Sequence, residues 1–198
     1  MTVEELPGRT ATGVWLQLPE TWLEVDPRVP DLDAEVLRTL AEHGADTNDE
    51  AAVAQFVAPL STELRRLSAH VDVVLAGFFT EYVDSDSGGL QVFTANVTVA
   101  LSPHVGEGAG VRGEIEREAR AAGTEIGVHD LSGGPALTTW GRVRLPHTGT
   151  EAFTRRFHIP VPGLDQVAVL AFVTPNVDFA AWFDRLFTTI SDTFRFVG

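Results

Sequence analysis

The pattern that most limits how this chain can fold is a strict alternation of apolar and polar residues near its middle. The apolar positions of this stretch are Phe93, Ala95, Val97, Val99 and Leu101. Thr94, Asn96 and Thr98 stand between them. Because successive side chains of a strand point to opposite faces, the pattern predicts a β-strand with one apolar and one polar face.

Eight other segments are predicted as strands, because they alternate in the same way or are continuously apolar. They are residues 14–18, 22–25, 71–79, 124–130, 136–145, 152–161, 167–173 and 194–196. Stretches rich in Gly, Pro and Asp separate several of them, for example Gly133-Gly134-Pro135. Such residues favour tight turns, and residues 84–89 are predicted to form a hairpin turn or short loop.

Four helices are predicted from apolar residues at helical spacing and from their end signals. Asp31 and Asn176 precede the first and the last helix and are placed to cap them. The second runs from about residue 48 to 70, and Pro59 is expected to kink or split it. The third, residues 113–122, is polar and lacks an apolar face. The apolar face of the last comprises Phe179, Trp182, Phe183, Leu186 and Ile190.

The chain is predicted to form a single domain. Residues 1–12 are expected to be a flexible lead-in, and no repeat, charge run or linker divides residues 13–198. Strands and helices in this order predict an α+β fold. We therefore expect a largely antiparallel β-sheet flanked by helices.

The composition excludes several kinds of chemistry. The chain has 198 residues and a net charge of −14, and all 14 basic residues are arginines. The absence of lysine excludes Schiff-base, pyridoxal and P-loop chemistry. The absence of cysteine excludes disulfides, thiol nucleophiles and Cys-ligated metal centres. The negative charge opposes binding to nucleic acid or to anionic lipid.

We expect the chain to be cytoplasmic. Its first residues are acidic and polar and lack the basic and apolar regions of a signal peptide. Its longest apolar run, residues 167–173, has seven residues. A membrane helix needs about 18 or more apolar residues, so no membrane contact is predicted.

A glycine motif suggests an alternative function, that of a small-molecule or nucleotide-binding enzyme. Within the loop at residues 106–113, Gly108-Ala109-Gly110-Val111-Arg112-Gly113 matches the G-x-G-x-x-G pattern of dinucleotide-binding proteins. Asp130 lies 17 residues beyond Gly113, where an acid that binds ribose could stand. The fit is poor, because residues 102–107 separate the motif from the preceding strand and the next helix carries glutamates. A flexible surface loop is the simpler interpretation.

The histidines give no clear catalytic or metal-binding motif. His129, Asp130 and Ser132 are close in sequence, but neighbours on one strand point to alternate faces and do not converge as a triad must. The six histidines show neither an i, i+4 pair nor an H-x-H pattern. We therefore predict no catalytic residue, no metal site and no cofactor.

The best candidate for a binding surface is a group of arginines beside a tryptophan. Trp140, Arg142 and Arg144 alternate along one predicted strand, and Arg156 and His158 alternate along the next. An antiparallel pair with Trp and Arg on its outward face has the composition of a protein-binding surface. In the alternative that stays open, a helix covers this face, Trp140 belongs to the core and the arginines pair with acids.

Several short motifs resemble the PsbP-like α/β/α sandwich family. They are the closing stretch from Val167 to Asn176, the segment from Phe179 to Phe183, Thr193-Phe194-Arg195-Phe196, and the opening Leu18-Pro19-Glu20-Thr21-Trp22. Within that family the chain looks like the branch of actinobacterial LpqN-type proteins and DcrB-like chaperones. The resemblance implies an antiparallel sheet flanked by helices, no catalytic residues to transfer, and the binding of a protein partner.

The expected function is that of a non-enzymatic protein-binding domain, an adaptor or a chaperone, with secretion among the processes that the resemblance implies. The signal and the lipidated cysteine of the lipoprotein members are missing, which favours the cytoplasmic branch. The partner is expected to be a protein rather than nucleic acid or a membrane, and the chain a monomer or a homodimer. The helical region at residues 31–70 is longer than the family pattern, so the alignment of the early elements stays open.

Overall fold

The computed structural model describes residues 13–43, 50–84, 90–103, 109–145 and 148–198. The strands are β1 (Gly13–Trp15), β2 (Leu23–Val25), β3 (Asp72–Asp84), β4 (Leu90–Pro103), β5 (Glu125–Leu131), β6 (Gly134–Arg144), β7 (Glu151–Pro160), β8 (Gln166–Thr174) and β9 (Arg195–Val197). The helices are α1 (Leu32–Glu42), α2 (Glu50–Ser68), α3 (Ala109–Ala122) and α4 (Ala180–Ser191), the last preceded by a turn of 3-10 helix, Val177–Phe179. The predicted lead-in at 1–12 and most of the predicted hairpin turn, residues 85–89, lie outside the described residues.

Seven strands form one sheet in the order β2-β3-β4-β8-β7-β6-β5, and each neighbouring pair is antiparallel. β1 and β9 form a separate two-stranded antiparallel sheet. Helices lie against the large sheet, so the prediction of an α+β fold with an antiparallel sheet flanked by helices is confirmed at this coarse level.

The strand register assigns the side chains of the large sheet to two faces. On the first, which we call the α4 face, Phe153 and Phe172 stack on Phe187 of α4. On the second, which we call the groove face, α1 and α2 pack over β2 and β3. The buried residues of that contact are Val25, Leu32, Val36, Val57, Leu64 and Ala76. α3 lies on the groove face at the other end of the sheet, against β5 and β6.

α1 begins as predicted, whereas α2 does not break where expected. The carboxylate of Asp31 accepts a hydrogen bond of 3.1 Å from the backbone N–H of Ala34, which confirms the cap. α2 runs as one helix through Pro59, so the expected split is wrong, and the alternative expectation of a kink stays a prediction. Proline removes one helical hydrogen bond. Val57 before it and Leu64 after it are buried in the same cluster, and this packing keeps both halves in one helix.

α3 is longer and better packed than predicted. It begins at Ala109, so Gly110 and Gly113 are helical rather than part of a loop. The expected lack of an apolar face is also wrong, because Ile115 and Ala119, one turn apart, are buried. Two apolar positions are enough for a narrow contact with the sheet, even on a helix half of whose other positions are charged.

The turn before α4 is fixed in a different way from the predicted cap. α4 begins at Ala180, and Asn176 makes no capping hydrogen bond. The Asn176 amide instead accepts a hydrogen bond from Thr94 N–H, 2.9 Å, and donates one to the Val92 carbonyl, 2.8 Å. Asn176 therefore ties the start of the last helical region to β4.

The core on the α4 face is rich in aromatic residues. Phe187, which the predicted apolar face omits, is fully buried and contacts Phe172 and Phe183 with ring centroids 4.8 and 5.5 Å apart. The predicted members Phe179 and Trp182 are instead exposed. Phe179 lies in the 3-10 turn, so the helical spacing that would bring it to the buried face does not extend to it.

Candidate functional site

Among the residues that the structure describes, none covers the centre of the groove face between α2 and α3. A groove of about 420 Å³ lies there over the central strands β4, β8 and β7. Small or β-branched residues dominate its floor: Thr98, Ala100, Ser102, Val167, Val169 and Ala171. Leu67 at the end of α2 lines one side, and Glu114 and Glu118 of α3 line the other. Short side chains on the floor leave the space that defines the groove.

Two residues predicted to bind a partner lie on this floor. Arg156 and His158 alternate along β7, so both point to the groove face. Arg156 is exposed, and within the described part of the chain it makes no hydrogen bond or ion pair. Burial and the nearby Arg156 charge lower the pKa of His158 to about 4. A neutral imidazole, which both donates and accepts hydrogen bonds, therefore stands beside an available guanidinium at pH 7.

The groove continues beneath α3. A second depression, also of about 420 Å³, lies between α3 and the strands β6 and β7. Both depressions share Ile115, Glu118, Arg156 and His158. Together they cross the four strands β4, β8, β7 and β6, a width of about 14 Å at ~4.8 Å per strand. This width suits a short polypeptide segment as well as a small molecule.

The other three predicted residues lie on the opposite side of the sheet. Trp140 is paired with Arg155, whereas Arg156 is paired with Thr139. Directly opposed residues of an antiparallel pair share a face, so Trp140, Arg142 and Arg144 belong to the α4 face. The five residues do not form one surface, and the expectation of a single Trp and Arg face across these two strands is wrong.

Trp140 is half-buried and belongs to the edge of the core. It extends over Gly127, where an added Cβ would stand 3.1 Å from the indole ring. The guanidinium of Arg155 lies 5.1 Å from the ring centroid of Trp140. Arg155 is buried and forms an ion pair with Asp184 of α4. Around Trp140 the structure therefore follows the alternative in which helix and core cover the face.

The two remaining arginines on the α4 face already have partners. Arg142 donates a hydrogen bond of 3.2 Å to the carbonyl of Val177, and Arg144 donates one of 3.1 Å to the carbonyl of Gly149. Both side chains are exposed. Their bonds to neighbouring backbone make them less available to a partner than Arg156.

The histidine with a carboxylate partner is part of a structural contact. His129 Nε2 lies 3.1 Å from Asp192 Oδ1, and its ring contacts Phe157 edge-on. Asp130 follows on the same strand and points to the opposite face, as expected. The pair links β5 to the end of α4. Within the described part of the chain, no group of three His, Cys, Asp or Glu residues could hold a metal ion.

The glycine motif lacks the structural context of a dinucleotide site. That context is a parallel strand, a glycine turn and a helix whose N-terminus meets the pyrophosphate. Gly110 and Gly113 are inside α3, and β4 before them belongs to an antiparallel sheet. Gly106 and Gly108 lie outside the described residues.

None of the described helices is long and apolar enough to cross a membrane.

Comparisons of the chain with protein-family models, with curated proteins and with solved structures find no match. The resemblance to the PsbP-like family therefore stays a prediction.

The groove is the feature that the sequence did not predict. Two signals in the sequence correspond to its floor: the polar side of the 93–101 alternation and the apolar residues on both faces of the 167–173 strand. The sequence does not show which helices cover these residues, so these signals did not predict a groove.

Proposed function

We propose that this chain is a protein-binding domain, an adaptor or chaperone without a catalytic step of its own, that holds a segment of its partner in the groove. In line with the resemblance to PsbP-like proteins, we place it in the cytoplasm, with secretion as a candidate process. The observation that carries the proposal is the open centre of the groove face, with an available arginine on its floor.

The chemistry of the groove indicates what the partner segment must contain. Val169 and Ala171 are partly exposed on the floor and offer apolar contact. Arg156 would pair with a carboxylate of the segment, because a guanidinium binds a carboxylate through two parallel hydrogen bonds. Glu114 and Glu118 line the α3 side of the groove and would favour a basic residue of the segment close to α3. We therefore expect a segment with apolar residues and charges of both signs.

The experiment compares partner capture by the intact chain and by variants of the two sheet faces. Arg156→Glu reverses the charge on the groove floor, and Ala171→Trp fills the floor. Arg142→Glu is the matched control, an exposed arginine on the opposite face. The captured protein is then purified, and its affinity for each variant is measured by calorimetry. Thermal melting of every variant confirms that it is folded.

We expect Arg156→Glu to weaken the complex about tenfold or more, since hydrogen bonds to charged groups contribute roughly 1.5–3 kcal/mol. Ala171→Trp should weaken it comparably, and Arg142→Glu should bind like the unaltered chain. Loss of binding in Arg142→Glu alone would place the partner on the α4 face. Unchanged affinity in both groove variants would refute the proposed use of the groove.

The size of the groove supports a second candidate, the binding of a small molecule. A volume of about 420 Å³ falls in the range of ligand pockets, roughly 300–1,000 Å³. A panel of nucleotides and metabolites, screened by thermal shift, separates the two candidates. A ligand at 100 times its Kd stabilises by about 2.7 kcal/mol. A shift that disappears in Ala171→Trp would favour the small molecule over the protein segment.

A further inference from the structure

The outer strand of the large sheet, β5, has an edge that no other described strand pairs with. β5 pairs with β6 on one side without a register shift, and it ends the strand order of the sheet. Among the described residues no strand pairs with its other side. In an antiparallel ladder, about every second residue points its N–H and C=O away from the existing partner. This row of peptide groups is a template for one more strand.

The opposite edge of the same sheet is protected. β2 has only three residues, and α1 lies beside it. The hydroxyl of Thr39 in α1 donates a hydrogen bond of 3.4 Å to the carbonyl of Glu24 in β2. Short edge strands and covering helices are common protections against unwanted pairing. β5 has seven residues and contains no proline, so the two edges differ in what they permit.

The side chains of β5 indicate what kind of strand would fit. Val128 is 64% exposed and Ile126 is 38% exposed, both on the groove face of the strand. Asp130 is exposed on the same face, and Glu125 is exposed on the other. Neither acid makes an ion pair with a described residue. An added strand would therefore meet two apolar side chains and one carboxylate on the groove face, and a second carboxylate on the α4 face.

We propose that β5 is a docking edge to which a partner protein adds an extended basic segment, with apolar residues opposite Ile126 and Val128 and arginine or lysine opposite Glu125 and Asp130. A second copy of this chain fits less well. Each copy carries a net charge of −14, and pairing two β5 strands about residues 127 and 128 would set Glu125 against Asp130. The docking edge is distinct from the groove, so either proposal can fail while the other holds.

The test uses two labelled peptides and the intact chain. The basic probe, Thr-Arg-Thr-Val-Thr-Val-Arg, places its arginines and valines as the proposal requires in an antiparallel strand. The control probe replaces both arginines by glutamate. Fluorescence anisotropy measures both affinities, and hydrogen–deuterium exchange follows the amides of β5. We expect the basic probe to bind at least tenfold more tightly, to slow exchange in β5, and to weaken as salt is raised.

Two matched valine variants locate the binding. Val128→Arg introduces at the centre of the β5 edge a positive charge that repels the arginines of the basic probe. Val83→Arg makes the same change at another exposed valine, on β3, which is distant from β5 in the sheet. Both positions are exposed, so stability should change little. Val128→Arg should weaken the basic probe at least tenfold, and Val83→Arg should leave it unchanged. The proposal is overturned by equal binding of the two probes, by no slowing of exchange in β5 at millimolar basic probe, or by a dimer of the chain that protects β5.

Discussion

Replacing Asp184 by asparagine should destabilise the fold more than replacing its partner Arg155 by methionine. The guanidinium of Arg155 lies 5.1 Å from the ring centroid of Trp140 and 5.1 Å from that of Phe157. Arg155 is 8% exposed, and its Nε has no hydrogen-bond partner among the described residues. The side chain of Asp184 is 33% exposed. The two ends of this ion pair are therefore unequally buried.

The unequal burial sets the sizes of the two effects. Removing one partner of a fully buried pair costs about 3–5 kcal/mol, because a charge stays buried without compensation. Water reaches the Asp184 end, so we expect Asp184→Asn to cost about 2–3 kcal/mol. Arg155→Met loses two cation–π contacts, together roughly 1–2 kcal/mol. It also removes a buried donor without a partner, which offsets that loss. We expect a net change within about 1 kcal/mol.

Urea unfolding followed by tryptophan fluorescence measures both free energies of unfolding. The comparison requires that the slope of the free energy against urea concentration is the same for all variants. The double variant Arg155→Met with Asp184→Asn should lie close to Arg155→Met alone, which gives a coupling of about 2 kcal/mol. The reasoning is refuted if Arg155→Met is the more destabilising single change. Strict additivity of the two single changes would refute it as well.

Three further predictions concern other parts of the chain. In Gly77→Ala the new Cβ would lie 2.9 Å from Cγ1 of the buried Val97, so we expect a loss of about 1–3 kcal/mol from overpacking in thermal or urea unfolding. The lowered pKa of His158 means that the unfolded chain binds more protons between about pH 6.5 and 4, so stability should fall through this window as pH falls, by up to about 1.4 kcal/mol per unit. Urea titrations across this range should show a smaller fall in His158→Gln, and equal slopes would contradict the assignment. Asn176→Ala removes two hydrogen bonds to the backbone of β4 and should cost about 1–3 kcal/mol, whereas a loss of only a few tenths in urea unfolding would mean that water replaces both.

Strand positions could be predicted because a strand imposes a period of two on its own residues. The alternation at 93–101 marks the buried side of β4 correctly, since Ala95, Val97 and Val99 are all buried on the α4 face. The relation between two strands depends on something else. In β6 and β7 the paired residue numbers add to an odd sum, as Trp140 with Arg155 shows. Even residues of one strand therefore share a face with odd residues of the other.

That parity depends on the geometry of the connection between β6 and β7, and a slip of one residue would reverse it. The sequence of the turn contains proline and glycine but does not by itself define the register. For this reason the sequence could assign Trp140 and Arg156 each to a strand, but it could not show that they lie on opposite faces of the sheet. The groove could not be predicted for a related reason. The floor of the groove is exposed because α2 and α3 cover only the two ends of the groove face. The positions of these helices are set by contacts between residues that are distant in sequence.

The small sheet of β1 and β9 has a mechanical consequence. Gly13 lies opposite Val197, and the guanidinium of Arg195 lies 4.0 Å from the ring centroid of Trp15 at the far end of the same pair. A force that pulls the two ends of the domain apart therefore acts on the Gly13–Val197 pair first and reaches Trp15 last. The hydrogen bonds open one after another, as in a zipper, instead of sharing the load. Under tension this sheet should yield at low force, before the long strands of the main sheet.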